Sequence, residues 1–336
     1  MELHRFFRYA IEKMCKEKKS LNHFNMSQDI LVSISCLTYN HFPYIRQCLN
    51  GFIMQRTTFA FEVLIHDDAS TDGTAEIIRE YELRYPNIVK PIYQIENQYS
   101  KGVKVQLVYN YPRAKGKYIA FCEGDDYWSD PYKLQKQVDI LENNPNATFV
   151  YTNFQTIEEN GDYIIRPVYE DYARNSFSGD IFGRLIRGNF ILTLTTCFRK
   201  DILFCDELVK APVSLDYLWF LIASSKGPVY YIPDKTGCYR LQPNGLTSLM
   251  PQKISKMTLE VFKYVSRLYL NKQIRKRNFK EDFSIKTFIL RRAIGLYLDS
   301  DKDLWHEIVY HHRLLLPYIV PAVIEILICR IRRYKK

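Results

Sequence analysis

The chain has 336 residues, of which 47% are hydrophobic and 25% are charged, a composition typical of globular proteins rather than of disordered or fibrous ones. The net charge of +10 is uneven: residues 251–336 hold 19 Lys/Arg and 8 Asp/Glu, whereas residues 1–250 hold 28 and 29. A basic segment suits anionic lipid head groups, a nucleic acid or an anionic substrate. The balanced first 250 residues lack the positive surface that nucleic-acid binding needs, so we expect no nucleic-acid partner.

The cysteine pattern and the apolar runs limit the location of the protein. The eight cysteines form no CxxC pair and no zinc-type spacing, which favours a reduced, cytoplasmic protein without a structural metal. Residues 1–28 lack the apolar core of a signal peptide, and we interpret them as a basic N-terminal extension. No uninterrupted apolar run reaches the length of about 18–20 residues that a transmembrane helix requires.

From residue 30 onward, β-type and helical patterns alternate. Apolar, β-rich runs predict strands at residues 30–40, 61–70, 88–94, 115–128 and 147–157, and amphipathic spacing predicts helices at 42–55, 70–86 and 131–144. Further on, residues 189–203 and 227–248 are typical of strands and 214–227 of an apolar helix, and from residue 252 the pattern is mostly helical. This order predicts an α/β fold with a mostly parallel, doubly wound sheet.

Polar clusters follow three of these strands, at residues 38–40 (TYN), 67–70 (DDAS) and 123–128 (EGDDYW). Ligands of doubly wound sheets bind beyond the carboxyl ends of the strands. Asp125 and Asp126 there form an acidic pair suited to Mg²⁺ or Mn²⁺, which take carboxylate oxygens together with substrate phosphates. The alternative is a turn that caps the next helix, but Asp130 before Pro131 already serves that purpose.

Three other positions leave two interpretations open. Asp67 and Asp68 could accept hydrogen bonds from a nucleotide base or ribose, or belong to the turn before the next helix. Asp216 could cap the helix that it begins or act as a general base at the edge of a cleft. Arg240 could bind a phosphate in a bidentate way or be an ordinary surface arginine.

Several well-known catalytic motifs are missing. The sequence contains no GxGxxG or GxxxxGK[ST] phosphate loop, no HExxH and no GxSxG. A dehydrogenase, a P-loop nucleotidase, a zinc protease of the HExxH type and an α/β-hydrolase therefore each lack their signature.

Together, VSISCLTYN, HDDASTDGT and AKGKYIAFCEGDDYW resemble the family 2 glycosyltransferases, over about residues 31–156 and more weakly to about 248. The resemblance implies the GT-A fold, with a nucleotide-binding part at 29–158, an acceptor-binding part at 159–250 and a helical basic region at 251–336. The EGDDYW form is similar to that of bacterial enzymes of capsule, O-antigen and exopolysaccharide assembly.

The resemblance also implies roles for individual residues. Asp126 would ligate the metal, Asp125 would lie near the ribose or the metal, Asp68 would contact the base and Tyr39 would pack against it. Asp216 would be the catalytic base of an inverting transfer from a nucleotide-diphosphate sugar, with a UDP-sugar as the leading donor. The sequence departs from the family at Leu215, where an acidic residue is usual. The acceptor would be a saccharide or a lipid-linked saccharide.

The C-terminal segment 304–336 combines apolar stretches, broken by Pro317 and Pro321, with a basic end. Packed helices with a solvated end explain it, and so does an interfacial anchor that places the enzyme at the inner face of the plasma membrane. Two other functions remain open. A sugar nucleotidyltransferase would need a glycine-rich loop that residues 38–46 do not offer, and a non-catalytic nucleotide-sugar-binding protein at the membrane would need only the sheet as a scaffold.

Overall fold

In a computed structural model, the described residues are 29–213, 215–243, 250–274 and 279–298, together with 305, 306, 308, 318 and 321–323. The predicted N-terminal extension at 1–28 and most of segment 304–336, for which packed helices and an interfacial anchor were both considered, lie outside them. The domain boundaries expected from the sequence stay predictions. No helix among the described residues combines the length and apolar character needed to cross a membrane.

The described part of the chain contains one eight-stranded sheet. Its strands are β1 (Ile30–Thr38), β2 (Ala60–Asp67), β3 (Val89–Tyr93), β4 (Tyr118–Phe121), β5 (Tyr127–Trp128), β6 (Phe149–Ile157), β7 (Thr196–Arg199) and β8 (Val229–Arg240). Their order in the sheet is β3-β2-β1-β4-β7-β6-β8-β5.

The helices flank this sheet. They are α1 (Phe42–Ile53), α2 (Thr74–Arg84), α3 (Tyr111–Arg113), α4 (Lys133–Asn143), α5 (Pro167–Asn175), α6 (Phe182–Leu185), α7 (Lys200–Leu203), α8 (Asp206–Val209), α9 (Asp216–Lys226), α10 (Pro251–Leu270) and α11 (Phe279–Leu298). A π-helical turn at Gln106–Asn110 precedes α3, and a 3₁₀ turn at Thr193–Thr195 precedes β7.

The sheet has a parallel half and a mixed half. Strands β3, β2, β1 and β4 are parallel to their neighbours, whereas β7 pairs antiparallel with both β4 and β6. Strand β8 is parallel to β6 and antiparallel to β5. The predicted α/β fold is therefore confirmed, with four parallel and three antiparallel pairings in this sheet. The chain continues from β1 to β2 on one side of the sheet, and from β4 to strands on the other side. The carboxyl ends of the neighbouring strands β1 and β4 therefore bound a crevice at a topological switch point.

Hydrophobic cores form on both faces of the sheet. On one face, Val32 and Ile34 of β1 pack with Ile45 and Phe52 of α1 and with residues of α2 and α4. The spacing of Ile45, Leu49 and Phe52 places their side chains on one stripe of α1. On the other face, residues of β4, β6 and β7 pack with α9, and α10 and α11 extend the same cluster. The two basic C-terminal helices thus share a core with the sheet.

Candidate active site

The loops after β1, β2 and β4 are joined by backbone hydrogen bonds at the switch point. The N–H of Asp68 donates to the carbonyl of Thr38 at 3.0 Å, and the N–H of Gly124 donates to that of Leu37 at 2.9 Å. A Cβ on Gly124 would lie 2.6 Å from Thr38 Oγ1 and 2.9 Å from His41 Nδ1. Only glycine therefore allows residues 123–126, the acidic loop, to approach the end of β1 this closely.

A cavity of about 1460 Å³ opens at this edge of the sheet. Its lining includes Glu123, Asp125 and Asp126 after β4 and Asp216 at the start of α9. Residues that are far apart in the sequence are thus brought to one cleft, as the positions of their strand and helix ends predict.

The two aspartates of the acidic loop differ in their burial and in their hydrogen-bond partners. Asp125 is partly exposed; its Oδ2 accepts a hydrogen bond from Gln242 Nε2 at 2.7 Å and lies 3.9 Å from His41 Nε2. Asp126 is buried, and its Oδ1 accepts the backbone N–H of Arg240 at 2.8 Å. Trp128 is buried below the loop, where its indole donates to the carbonyl of Leu194 at 2.9 Å.

The electrostatics of the loop fit a divalent cation. Burial, followed by the charges of Asp125 and Glu123, raises the pKa of Asp126 well above its ordinary value. Burial and then the charges of Asp125 and Asp216 raise the pKa of Glu123 to about 8. Mutual repulsion among oxygen ligands is relieved by Mg²⁺ or Mn²⁺, which suit such ligands.

Protein ligands alone would form only part of a metal site here. Among the described residues, no group of three or more His, Cys, Asp or Glu side chains is arranged to hold a metal ion. Mg²⁺ commonly uses one or two carboxylates plus water and substrate phosphates, so Asp125 and Asp126 could hold such an ion together with a diphosphate.

Arg240 is not an ordinary surface arginine, because it is 5% exposed and four of its guanidinium N–H groups donate to protein oxygens. Nε donates to the Asp125 carbonyl at 2.9 Å, Nη1 to the carbonyls of Glu158 and Glu159, and Nη2 to Gln47 Oε1 at 2.8 Å. The group also lies 4.5 Å from the ring centre of Tyr44. This geometry contradicts the surface-arginine alternative and fixes the acidic loop, and the contact of Arg240 with a phosphate stays a prediction.

Asp216 is at the first position of α9, facing the cavity. Its Oδ2 accepts the hydroxyl of Thr193 at 2.6 Å, and its Oδ1 accepts the N–H of Tyr217 at 2.7 Å. Burial raises the pKa of Asp216, while these two hydrogen bonds oppose the rise. The carboxylate is thus both oriented at a rigid helix start and made more basic than an exposed aspartate.

The predicted base-contacting residues have different environments. Asp68 is buried, and its carboxylate accepts the backbone N–H of Gln98 at 2.7 Å and of Tyr99 at 3.0 Å. It therefore anchors the loop after β3, a structural role that its position in the sequence does not reveal. Tyr39 directly follows β1 and is 46% exposed. Their contacts with a nucleotide stay predictions.

A comparison with protein families identifies the chain. The family model described as glycosyl transferase family 2 matches residues 33–202, half of the chain. The chain belongs to glycosyl transferase family 2. The match includes the three strand-end motifs and ends before Asp216 and Arg240, so it leaves the roles of those two residues open.

Curated relatives of this family 2 glycosyltransferase include two informative matches. An uncharacterised protein of Mycobacterium tuberculosis is 35% identical over 222 residues, which are 64% of this chain and 60% of the relative. TuaG of Bacillus subtilis, named as a candidate teichuronic acid biosynthesis glycosyltransferase, is 26% identical over 72% of this chain and 91% of its own. The chain thus spans less than two thirds of the mycobacterial relative.

Among solved structures, residues 1–349 of Staphylococcus aureus TarS in complex with UDP superpose with a TM-score of 0.57 at 19% identity. The superposition covers 80% of this chain and 75% of that one. This similarity confirms the GT-A fold that the sequence predicts.

The structure adds cleft residues that sequence reasoning missed. Tyr169 and Tyr172 of α5 line the cavity, where the Tyr169 ring packs edge-on against Tyr239 at 5.5 Å. Tyrosines three positions apart lie on one face of a helix, so their spacing in the sequence could have indicated a shared aromatic surface. Thr193 and His41 carried no such signal, because their roles depend on partners in distant segments.

Proposed function

We propose that the protein is an inverting, metal-dependent glycosyltransferase that moves a sugar from a nucleotide-diphosphate donor to a hydroxyl of a saccharide acceptor. The carrying observation is that one cavity contains both the carboxylates after β4 and the carboxylate of Asp216 at the start of α9. The first group suits a metal–diphosphate, and the second suits proton removal from an acceptor.

In this proposal, Asp216 accepts the proton of the acceptor hydroxyl as its oxygen attacks C1 of the donor sugar. Thr193 and the N–H of Tyr217 orient the carboxylate, and burial raises its pKa and so its basicity. Attack from the face opposite the leaving diphosphate inverts C1 in a single displacement, so no covalent intermediate with the protein is needed. A bound Mg²⁺ or Mn²⁺ at Asp126 and Asp125 would supply positive charge to the departing diphosphate.

The relatives support a donor and a biological setting. The TarS structures bound to UDP and to UDP-GlcNAc support a UDP-sugar as the first donor to test. The name of TuaG supports a role in bacterial surface polysaccharide assembly. An interfacial anchor at the inner face of the plasma membrane, one of the two interpretations of segment 304–336, would fit that role.

Thermal unfolding in the presence of UDP, GDP or CMP, with and without Mn²⁺, tests the donor site. We expect one nucleotide to raise the Tm only when Mn²⁺ is present. Asp126→Ala should abolish this increase, whereas Asp139→Ala, which removes an exposed aspartate of α4, should retain it. If no nucleotide raises the Tm of the unmodified protein, the proposal is wrong.

The transfer step needs a separate variant. Asp216→Asn should bind the nucleotide as the unmodified protein does, yet lose donor turnover by a factor of about 10² to 10⁴, the usual contribution of a general base. Full turnover in this variant would exclude Asp216 as the base.

A further inference from the structure

The cavity is larger than one donor requires. Its volume of about 1460 Å³ exceeds the roughly 300–1,000 Å³ typical of small-molecule sites. The additional lining comes from α10 and α11, which contribute Ile254, Met257 and Phe262 from the first helix and Phe288 from the second. The space beside the C-terminal helices is therefore available to a second substrate.

Three arginines surround this part of the cavity, all within its lining: Arg187, Arg291 and Arg292. The guanidinium carbons of Arg187 and Arg291 lie 5.1 Å and 5.3 Å from the ring centre of Phe288. Arg187 is also held by a hydrogen bond from Nη2 to Ser284 Oγ at 2.8 Å. The aromatic ring and the neighbouring helix thus fix two of the positive charges.

Arg292 differs from the other two arginines in its partners. It is exposed, and it has no hydrogen-bond or ion-pair partner within the described part of the chain. The acidic residue Asp282, earlier on the same helix, is already engaged, with its Oδ2 2.6 Å from Lys286 Nζ. A guanidinium in this situation can form charge-assisted, bidentate hydrogen bonds with an anionic ligand.

We propose that this arginine group binds a phosphate ester carried by the acceptor. The inference rests on the proposed function, since it identifies the chemical class of the second substrate. The carboxylates after β4 would repel a phosphate without a bound cation, whereas the arginines attract it. When the acceptor phosphate is bound at α11, a hydroxyl of the same molecule would extend toward Asp216. Apolar side chains of α10 beside the arginines suit an alkyl or lipid portion of such a phosphate ester.

Three probes separate the contributions of phosphate and alkyl chain in calorimetric titrations of the full chain with EDTA present. They are decyl phosphate, glucose 1-phosphate and decyl glucoside. We expect both phosphates to bind and decyl glucoside to bind at least ten-fold more weakly than decyl phosphate. Tighter binding of decyl phosphate than of glucose 1-phosphate would assign the site to a lipid phosphate, and equal binding would assign it to a sugar phosphate. Equal affinity for decyl phosphate and decyl glucoside would overturn the proposal.

Charge reversal at matched positions of α11 locates the site. Arg292→Glu should weaken decyl phosphate binding at least ten-fold, whereas Lys280→Glu, an exposed change on the same helix, should leave it unchanged. Equal binding by Arg292→Glu and the unmodified protein would also overturn the proposal.

A third variant separates this site from the donor site. Asp126→Asn should lose the Mn²⁺-dependent response to nucleotide and keep decyl phosphate binding. Arg292→Glu should keep the response to nucleotide and lose decyl phosphate binding. If the unmodified protein binds decyl phosphate through Arg292 but binds no nucleotide, the proposed function fails and the phosphate site stands. If nucleotide binds and decyl phosphate does not, only the acceptor inference fails.

Discussion

Replacement of Arg240 distinguishes a structural role from a phosphate-binding one. Arg240→Ala removes four hydrogen bonds, to the carbonyls of Asp125, Glu158 and Glu159 and to the side chain of Gln47. A buried acceptor that loses its donor costs about 1–3 kcal/mol, but water from the adjoining cavity can replace some donors. We therefore expect a loss of about 3 kcal/mol in the free energy of unfolding.

Thermal unfolding without ligand measures this loss. At an unfolding entropy of about 2.1 cal/mol/K per residue, 3 kcal/mol corresponds to a decrease of about 4 °C in Tm. Arg240→Lys should show most of the same decrease in Tm, because an ammonium group lacks the planar fork that reaches all four acceptors. Arg166→Ala is the matched control, since this exposed arginine lines the same cavity without a hydrogen-bonded side chain among the described residues.

The opposite pattern would refute the structural role. If Arg240→Ala unfolds at the temperature of the unmodified protein and only its nucleotide affinity falls, Arg240 binds phosphate and the hydrogen bonds to the acidic loop contribute little.

Two further predictions concern the fit and the basicity of the site. Gly124→Ala should destabilise the protein by about 1–3 kcal/mol, because its Cβ would overlap Thr38 and His41. The same change should weaken Mn²⁺-dependent nucleotide binding. Denaturant titrations measure the loss of stability, with Gly188→Ala as the control, because no atom lies within 4 Å of its new Cβ. Thr193→Val removes a hydrogen bond that lowers the pKa of Asp216, so that pKa should rise and the acidic limb of the kcat/KM profile should move to higher pH. Thr193→Ser should keep the original profile. An unchanged limb in Thr193→Val would show that Asp216 does not set it.

The positions of the carboxylates were predictable because strand ends are a local property of the sequence. The apolar run of β1 stops at Thr38 and that of β4 at Phe121, and the polar residues that follow must lie at the edge of the sheet. The parallel half of the sheet followed from the alternation of strands and helices. The antiparallel placement of β7 between β4 and β6 did not, because periodicity identifies a strand without giving its neighbours or direction.

The hydrogen bonds of Arg240 could not be predicted for a related reason. Its partners come from α1, from the loop after β4 and from the end of β6, three segments that only the tertiary structure joins. A sequence shows that a residue can donate hydrogen bonds, and the fold determines which acceptors are nearby. Arg240 and Arg292 are the same residue type in the same cavity lining, yet one is enclosed by protein oxygens and the other is exposed.

That contrast bears on how the cleft can handle two anionic substrates. The donor diphosphate would meet Asp125 and Asp126, where a divalent cation is required to make the contact attractive, whereas an acceptor phosphate would meet arginines that need no cation. Because the two sites obtain their positive charge from different sources, removal of divalent cations should release the donor and leave the acceptor bound. A single shared phosphate site would instead make the two substrates compete, and competition between UDP and decyl phosphate in the presence of Mn²⁺ would contradict the separation of the two sites.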